Sequence, residues 1–265
     1  MPYQERRRSI TPRVVVVGLA SCFGCQLQIT NQEQYLTDVL GQIEVVYWQM
    51  TSSEPMPDSF DVAVIEGAVT NRESEETVRE LREKASKIIT IGACAVTAGI
   101  PGIAAKDYED RPHEVYNTIP EACGELIAPR SVGSVIDVDY EVRCCPIDFY
   151  EFVQVLSAAL YGSNHKLRTT TMCTECKQKE NICFYAKGEI CLGLVTVGGC
   201  QARCPSLGRP CNGCRGISPS ANLESARQSV IKYGLSVDEF NEKLEMFNQT
   251  NTQFTGEEAA VEEAR

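Results

Sequence analysis

The stretch from Cys173 to Cys214 constrains this chain more than any other, because it holds eight cysteines in 42 residues: CTECKQKENICFYAKGEICLGLVTVGGCQARCPSLGRPCNGC. Thiols crowded at that density oxidise and cross-link if left free, so they must pair as disulfides, hold zinc or hold iron–sulfur clusters. Eight thiolates make two complete four-cysteine sites. The spacings Cys173-x2-Cys176 and Cys211-x2-Cys214 suit either metal. Gly188, Gly193, Gly198, Gly199, Gly208 and Gly213 lie between them, and glycines let backbone amides approach sulfide closely. The Cys204-Pro205 step resembles the bacterial ferredoxin run. The pattern favours two 4Fe-4S clusters over two zinc knuckles.

The other bounds agree. Fourteen cysteines in 265 residues suit metal-bound thiolates in a reducing compartment, since secreted disulfide scaffolds are much shorter. A net charge of −11 argues against nucleic acid, whose phosphates require a basic face. No apolar run approaches the roughly 18 to 20 residues that cross a bilayer, so no direct membrane span is expected. Arg6-Arg7-Arg8 followed by Val14 to Val17 imitates a lipoprotein leader, but Pro12 and Arg13 interrupt it and cleavage would delete the first core strand.

Along the chain, residues 1–12 read as an N-terminal arm. Arg13 to Gly18, RVVVVG, is a continuous β-branched run ending in glycine, as expected of a strand buried on both faces of a parallel sheet. A helix is expected over 26–40, strands at 43–48, 60–65 and 87–91, a charged helix over 74–85, a fifth strand over 134–138 and a helix over 148–161. This alternation predicts an α/β fold, a flavodoxin-like doubly wound parallel sheet, over 13–164. Residues 99–129, with Pro101, Pro112, Pro120 and Pro129, read as a long loop. A ferredoxin-like, two-cluster domain is expected over 165–218, C-terminal helices over 219–250 with a capping box at Ser236-x-x-Glu239, and an acidic tail over 251–265.

Four of the remaining cysteines follow expected strands. Cys22 and Cys25 sit in the turn after the first, Cys94 follows the fourth through Gly92-Ala93, and Cys145-Pro146 follows the fifth. In an open parallel sheet the carboxyl ends of the strands share one edge, where ligands bind. The turn SCFGC has no phosphate-binding glycine pattern, so cysteines take the ligand's place and a third 4Fe-4S cluster is expected there. Ordinary buried cysteines are the plainer alternative. Cys144 is a competing ligand to Cys145, and Cys123 has no such support. Glu66 ends the third strand on the same edge, placed either to cap backbone groups or to relay protons. His113 and His165 stay unassigned.

Together VVVVGLASCFGCQLQI, VIEGAV, IGACAVTAGIPG and CCPID resemble the small subunit of nickel–iron hydrogenases. CTECK and GEICLGLVTVGGCQARCPSLGRPCNGCRG resemble the two-cluster extension of its cytoplasmic deazaflavin-reducing, heterodisulfide-reductase-linked and sulfhydrogenase branches. The resemblance, over about residues 13 to 218, implies an oxidoreductase subunit whose H2-splitting nickel–iron centre lies in a separate large subunit. It implies that Cys22, Cys25, Cys94 and Cys145 hold the proximal cluster, and that Cys173, Cys176, Cys183, Cys191, Cys200, Cys204, Cys211 and Cys214 hold two more. Glu66 would match the glutamate facing the large subunit. A flavin-containing or other reductase subunit would take the electrons, in the cytoplasm. The family pattern has glycine before the last proximal cysteine and a second proline after the first; here those positions are Cys144 and Ile147. Competing expectations are an iron–sulfur subunit of a quinone-linked or other dehydrogenase, and a zinc-stabilised interaction module.

Overall fold

The computed structural model describes residues 11–163 and 166–251. Most of the expected arm and tail, and His165, lie outside the described residues. The order begins with strand β1 (Arg13–Gly18), helices α1 (Gly24–Thr30) and α2 (Glu33–Leu40), strands β2 (Glu44–Trp48), β3 (Phe60–Glu66) and β4 (Val69–Asn71), and helix α3 (Arg72–Lys84). It continues through β5 (Ala85–Ile91), α4 (Gly92–Thr97), β6 (Leu126–Arg130), β7 (Tyr140–Val142) and α5 (Phe149–Tyr161). Helices α6 (Met172–Gln178), α7 (Arg203–Ser206), α8 (Leu223–Lys232) and α9 (Val237–Asn248) follow.

The main sheet has the order β2-β1-β3-β5-β7, and every pairing in it is parallel. Numbering its strands as they occur gives 2-1-3-4-5, the flavodoxin-like doubly wound order, whose ligand edge lies at the carboxyl ends. Strand β1 explains why both faces must be covered. Val14 and Val16 join a core with Ile29 of α1 and Phe149, Phe152 and Leu156 of α5. Val15 and Val17 join the opposite core with Val78 and Leu81 of α3. Side chains alternate across a strand, so a run of four valines serves two cores at once.

Several expected elements differ. The helix expected over 26–40 is two, because Gln32 takes a non-helical conformation (φ −100°, ψ 59°) and α1 ends on the Asn31 amide bonding to Leu27. The fifth strand lies at 140–142 rather than 134–138. Val135, Ile136 and Val138 pack under the sheet as a loop, and Asp139 starts the pairing by accepting from the Ile88 amide. The 99–129 segment is a chain of short 3-10 turns whose end runs into β6, which pairs antiparallel with β4. Helix α3 starts two residues early through a reciprocal cap between Asn71 and Ser74. Ser236 caps α9 by accepting from the Glu239 amide, as the spacing predicts.

Beyond α5 the chain builds a third core. Met172, Phe184, Tyr185, Ile190 and Leu192 pack with Val230 of α8 and Phe240 and Leu244 of α9, so the C-terminal helices close over the cysteine-rich segment. That segment is organised by short turns and the antiparallel bridges Thr171↔Val197 and Thr196↔Ile217. It is locked to the sheet by fully buried Arg215, which pairs with Glu151 of α5 at 2.7 Å. No helix among the described residues is long and apolar enough to cross a membrane.

Candidate metal centre

The first thiol group lies where the parallel strands end. Cys22 and Cys25 flank the entry into α1 after β1, Cys94 sits in α4 directly after β5, and Cys145 follows β7. Glu66, the last residue of β3, is 1% exposed, and its two carboxylate oxygens accept from the amides of Cys25 and Gln26, each at 3.1 Å. A helix leaves its first amides without internal partners, and Glu66 supplies two of those for α1 from a neighbouring strand. The structure therefore places Glu66 as the cap that orients the Cys25 turn. The Gln26 side chain, fully buried, accepts from the Trp48 indole at 2.6 Å and pins the same turn from below.

Gly92 shows how tightly this edge is built. Its φ is +82°, and a Cβ there would collide with the Cys25 sulfur, so only glycine lets that thiol occupy the strand end. Burial pushes the Cys25 thiol well up, and Glu66, Cys145 and Cys94 add to the effect. Burial also raises Cys94, with Cys22 and Glu66 contributing. Cys145 is exposed as a residue, yet its sulfur is partly stripped of water. That desolvation, followed by Cys94 and Cys22, pushes it up to about 11. Cys25, Cys94 and Cys145, which resist ionising beside one another, are soft ligands short of a cation, and a bound metal centre would supply the missing positive charge. With Cys22 and Cys145 exposed, the group also opens to the surface.

The second group is Cys173 and Cys176 of α6 with Cys183 and Cys191. Burial pushes Cys173 up to about 12, followed by the effects of Cys191, Cys176 and Cys183. A Cβ on Gly193 would lie 3.3 Å from the Cys173 sulfur and 3.6 Å from that of Cys191. The Tyr185 hydroxyl is buried among Cys191, Cys173 and Cys183 and has no hydrogen-bond partner. A buried donor without an acceptor is costly, and cluster sulfur would satisfy it.

The third group gathers Cys200, Cys204, Cys211 and Cys214. Burial raises Cys200 and Cys204, and Cys144 is the first cysteine to add to it in both cases. Cys211 is buried, and its amide donates to the Cys191 sulfur at 3.2 Å, which joins this group to the second. The Cys144 and Cys214 sulfurs are 3.7 Å apart in a hydrogen bond, which lowers the Cys144 thiol and holds the Cys214 thiol up. Cys144 therefore faces this group, and Cys145 faces the strand edge.

Within these groups neighbouring thiols raise one another. Cys123 sits apart in a short turn, and its carbonyl accepts from Asn71. A surface pocket of about 550 Å³ lined by His113, Tyr108 and Glu121 lies in the proline-rich segment, and no cysteine lines it. Among the described residues no three Cys, His, Asp or Glu side chains converge as tightly as a single metal ion demands. Sequence reasoning missed Tyr185, Arg215 and Gln26; Arg215 and Gln26 act through Glu151 and Trp48, 64 and 22 residues away, and Tyr185 belongs to no motif although its neighbouring cysteines are close in sequence.

Comparison with known proteins matches this architecture. The family profile described as NADH ubiquinone oxidoreductase, 20 Kd subunit, covers residues 22–159, from Cys22 through α5. Sulfhydrogenase 2 subunit delta of Pyrococcus furiosus is 33% identical, over 88% of this chain and 97% of its own length. An F420-non-reducing hydrogenase subunit of Methanocaldococcus jannaschii is 30% identical, over 91% of this chain and 95% of its own. Among solved structures, an NAD+-reducing [NiFe]-hydrogenase chain in the H2-reduced state aligns with TM-score 0.54 at 23% identity, covering 59% of this chain and 95% of that one. A chain of the Ni-Fe-Se hydrogenase of Desulfomicrobium baculatum aligns with TM-score 0.54 at 16% identity, covering 77% and 94%. The fold likeness extends past the strand-edge cysteines, and the sequence likeness runs nearly the full length, so this chain belongs to the NADH ubiquinone oxidoreductase 20 Kd subunit family, within its hydrogenase small-subunit members.

Proposed function

We propose that the chain is the electron-transfer subunit of a cytoplasmic nickel–iron hydrogenase complex, holding three 4Fe-4S clusters in line. Cys22, Cys25, Cys94 and Cys145 hold the first, Cys200, Cys204, Cys211 and Cys214 the second, and Cys173, Cys176, Cys183 and Cys191 the third. The observation that carries this is the convergence of four cysteines from three separate strand ends on one surface-opening edge, with Gly92 clearing room for Cys25. When bound, such clusters take up and release single electrons at potentials tuned by ligand hydrogen bonds, charge and exposure.

This chain's residues set those terms. Exposed Cys22 and Cys145 bring the first site to the surface, within reach of a large subunit carrying the nickel–iron centre. Adjacent Cys144 and Cys145 link the first cluster site to the second, and the Cys211 amide on Cys191 links the second to the third. The fully buried Arg215 places its charge near Cys144 and Cys200. Glu66 holds the Cys25 turn, and a proton-relay role is separable from that cap by the substitution discussed below. One relative is named NAD-reducing, another F420-non-reducing and a third a sulfhydrogenase, and this variety supports a partner reductase, flavin-containing or otherwise, as what determines where the electrons go. The ferredoxin-like reading of 165–218 rests on the two-group cysteine pattern.

The test is a redox titration of the anaerobically purified complex followed by electron paramagnetic resonance. Three separable one-electron signals are expected, with Cys25→Ser, Cys204→Ser and Cys176→Ser each abolishing a different one. Two variants abolishing the same signal, or bound zinc in place of iron, would overturn the assignment.

A further inference from the structure

Two exposed loops of the cysteine-rich segment lie side by side. The Asn181 side-chain amide donates to the Ser206 hydroxyl at 3.1 Å, which ties the loop carrying Ile182 and Cys183 to the one carrying Cys204 and Leu207. Each loop folds back on a cysteine: the Asn181 amide donates to the Cys176 carbonyl, and the Arg209 amide to that of Cys204. Ile182 is 68% exposed and Leu207 75%, and Cys183 and Cys204 beside them are exposed too. Large apolar side chains scattered singly are ordinary, but two on adjoining loops at exposed cysteines form a patch.

The charge around this patch runs against the rest of the molecule. Residues 177–209 hold Lys177, Lys179, Lys187, Arg203 and Arg209 against Glu180 and Glu189, in a chain whose net charge is −11. All five cations are exposed, and among the described residues only Arg203 forms an ion pair, with Asp148 at 3.4 Å. Lys187 instead lies over the Phe184 ring, next to Cys183, at 4.5 Å from its centroid. Burial and Cys144 raise the Cys204 thiol while Arg203 and Arg209 oppose the rise, so both cations stand close to it. Unpaired cations around an exposed apolar centre have the anatomy of an interface, an apolar core within a polar rim. The sign of the rim selects an acidic partner. A long polyanion such as nucleic acid or a membrane surface would also meet the acidic remainder of the chain, whereas a compact acidic protein face need not.

Resting on the electron-wire reading above, we propose that the Ile182 and Leu207 patch, with its rim of Lys177, Lys179, Lys187 and Arg209, docks an acidic face of the protein that takes electrons from the two C-terminal clusters. An electron crosses between proteins only where a cofactor site comes near the surface. Cys183 of the third site and Cys204 of the second do so here, while the exposed Cys22 and Cys145 of the first serve the large subunit. In the direction of H2 oxidation one electron passes at a time: a reduced cluster is oxidised as an iron–sulfur or flavin centre of the partner is reduced, and no bond of this chain is made or broken.

The experiment treats the anaerobically purified native complex with a carbodiimide, which joins a lysine amine to a carboxylate in contact with it, and maps the cross-linked peptides by mass spectrometry. Lys177, Lys179 or Lys187 is expected to be joined to Asp or Glu of a co-purifying subunit other than the nickel-bearing one. Introducing Lys179→Glu together with Lys187→Glu is expected to release that subunit on gel filtration while nickel, iron and sulfide stay with the remainder. Ile182→Ser is expected to lower the salt concentration at which it dissociates. Cross-links from these lysines only to the nickel-bearing subunit, or only within this chain, would overturn the proposal, and so would full retention of the partner by the double variant. The cross-links are read on the wild-type complex, so they decide the matter even where the double variant does not fold. Zinc in place of iron and sulfide would instead overturn the reading beneath the proposal, whatever the lysines touch.

Discussion

Arg215 joins the cysteine-rich segment to the sheet, and its removal should be felt through the whole chain. Its side chain is 1% exposed; Nη1 and Nη2 donate to the two Glu151 oxygens at 2.7 Å each, Nη1 to the Arg143 carbonyl at 2.8 Å and Nε to the Gly198 carbonyl at 3.0 Å. Arg215→Met strands Glu151 and two carbonyls. Breaking a buried ion pair from one side costs about 3–5 kcal/mol, because the remaining charge stays desolvated. The Glu151 side chain is 15% exposed, so water relieves part of this and the lower end, about 3 kcal/mol, is expected. For a chain of this size that is roughly 6–12 °C in melting temperature. The assay is anaerobic thermal melting with iron and sulfide measured alongside, so that loss of a cluster is separated from loss of the pair. Arg215→Met with Glu151→Met should recover most of the difference, since an apolar replacement of the whole pair removes the stranded charge. A single variant melting within about 2 °C of wild type, or a double variant less stable than the single, would refute the reasoning.

Three further predictions concern single side chains. Burial pushes the Asp139 carboxyl up, but hydrogen bonds from Lys87, Arg82 and the Ile88 amide hold it below the usual carboxylate range. A depressed acid stabilises the fold above its ordinary pKa of about 4 and loses that contribution as pH falls further, so Asp139→Asn should melt lower than wild type at pH 7 and converge with it in acid. Glu66→Gln replaces one of two charged acceptors on the α1 amides and should cost about 1.5–3 kcal/mol in denaturant titrations. If Glu66 only caps, H2 turnover survives; turnover lost at unchanged stability would instead establish a proton relay. Tyr185→Phe removes a buried hydroxyl without a partner, so the midpoint of the Cys176-dependent signal should fall while the other two stay fixed.

The sheet was legible because β-branched runs such as RVVVVG have few alternatives, and the strand-edge cysteines followed from where those runs end. The last strand was not. Val135, Ile136 and Val138 carry a strand's apolar pattern but pack as a loop, and Tyr140–Val142 pairs instead because Asp139 engages the Ile88 amide. The strand-edge set of thiols was legible from where the strands end, but spacing left open how the eight downstream cysteines divide, and it gave no sign that Cys144, at φ +140°, meets Cys214 while Cys145 joins the strand edge. Arg215 carried no local signal, since its partner Glu151 lies 64 residues away. Contacts of that separation are created by the fold, and residue pattern cannot announce them.

The central claim is that this chain carries electrons through three clusters inside a hydrogenase complex. Its most direct test is the metal and acid-labile sulfide content of the complex purified anaerobically from its native host. The account predicts about twelve irons and about twelve sulfides on this chain, with nickel in a co-purifying larger subunit. About two zinc ions with no sulfide, or iron and sulfide with no nickel in any partner, would contradict it.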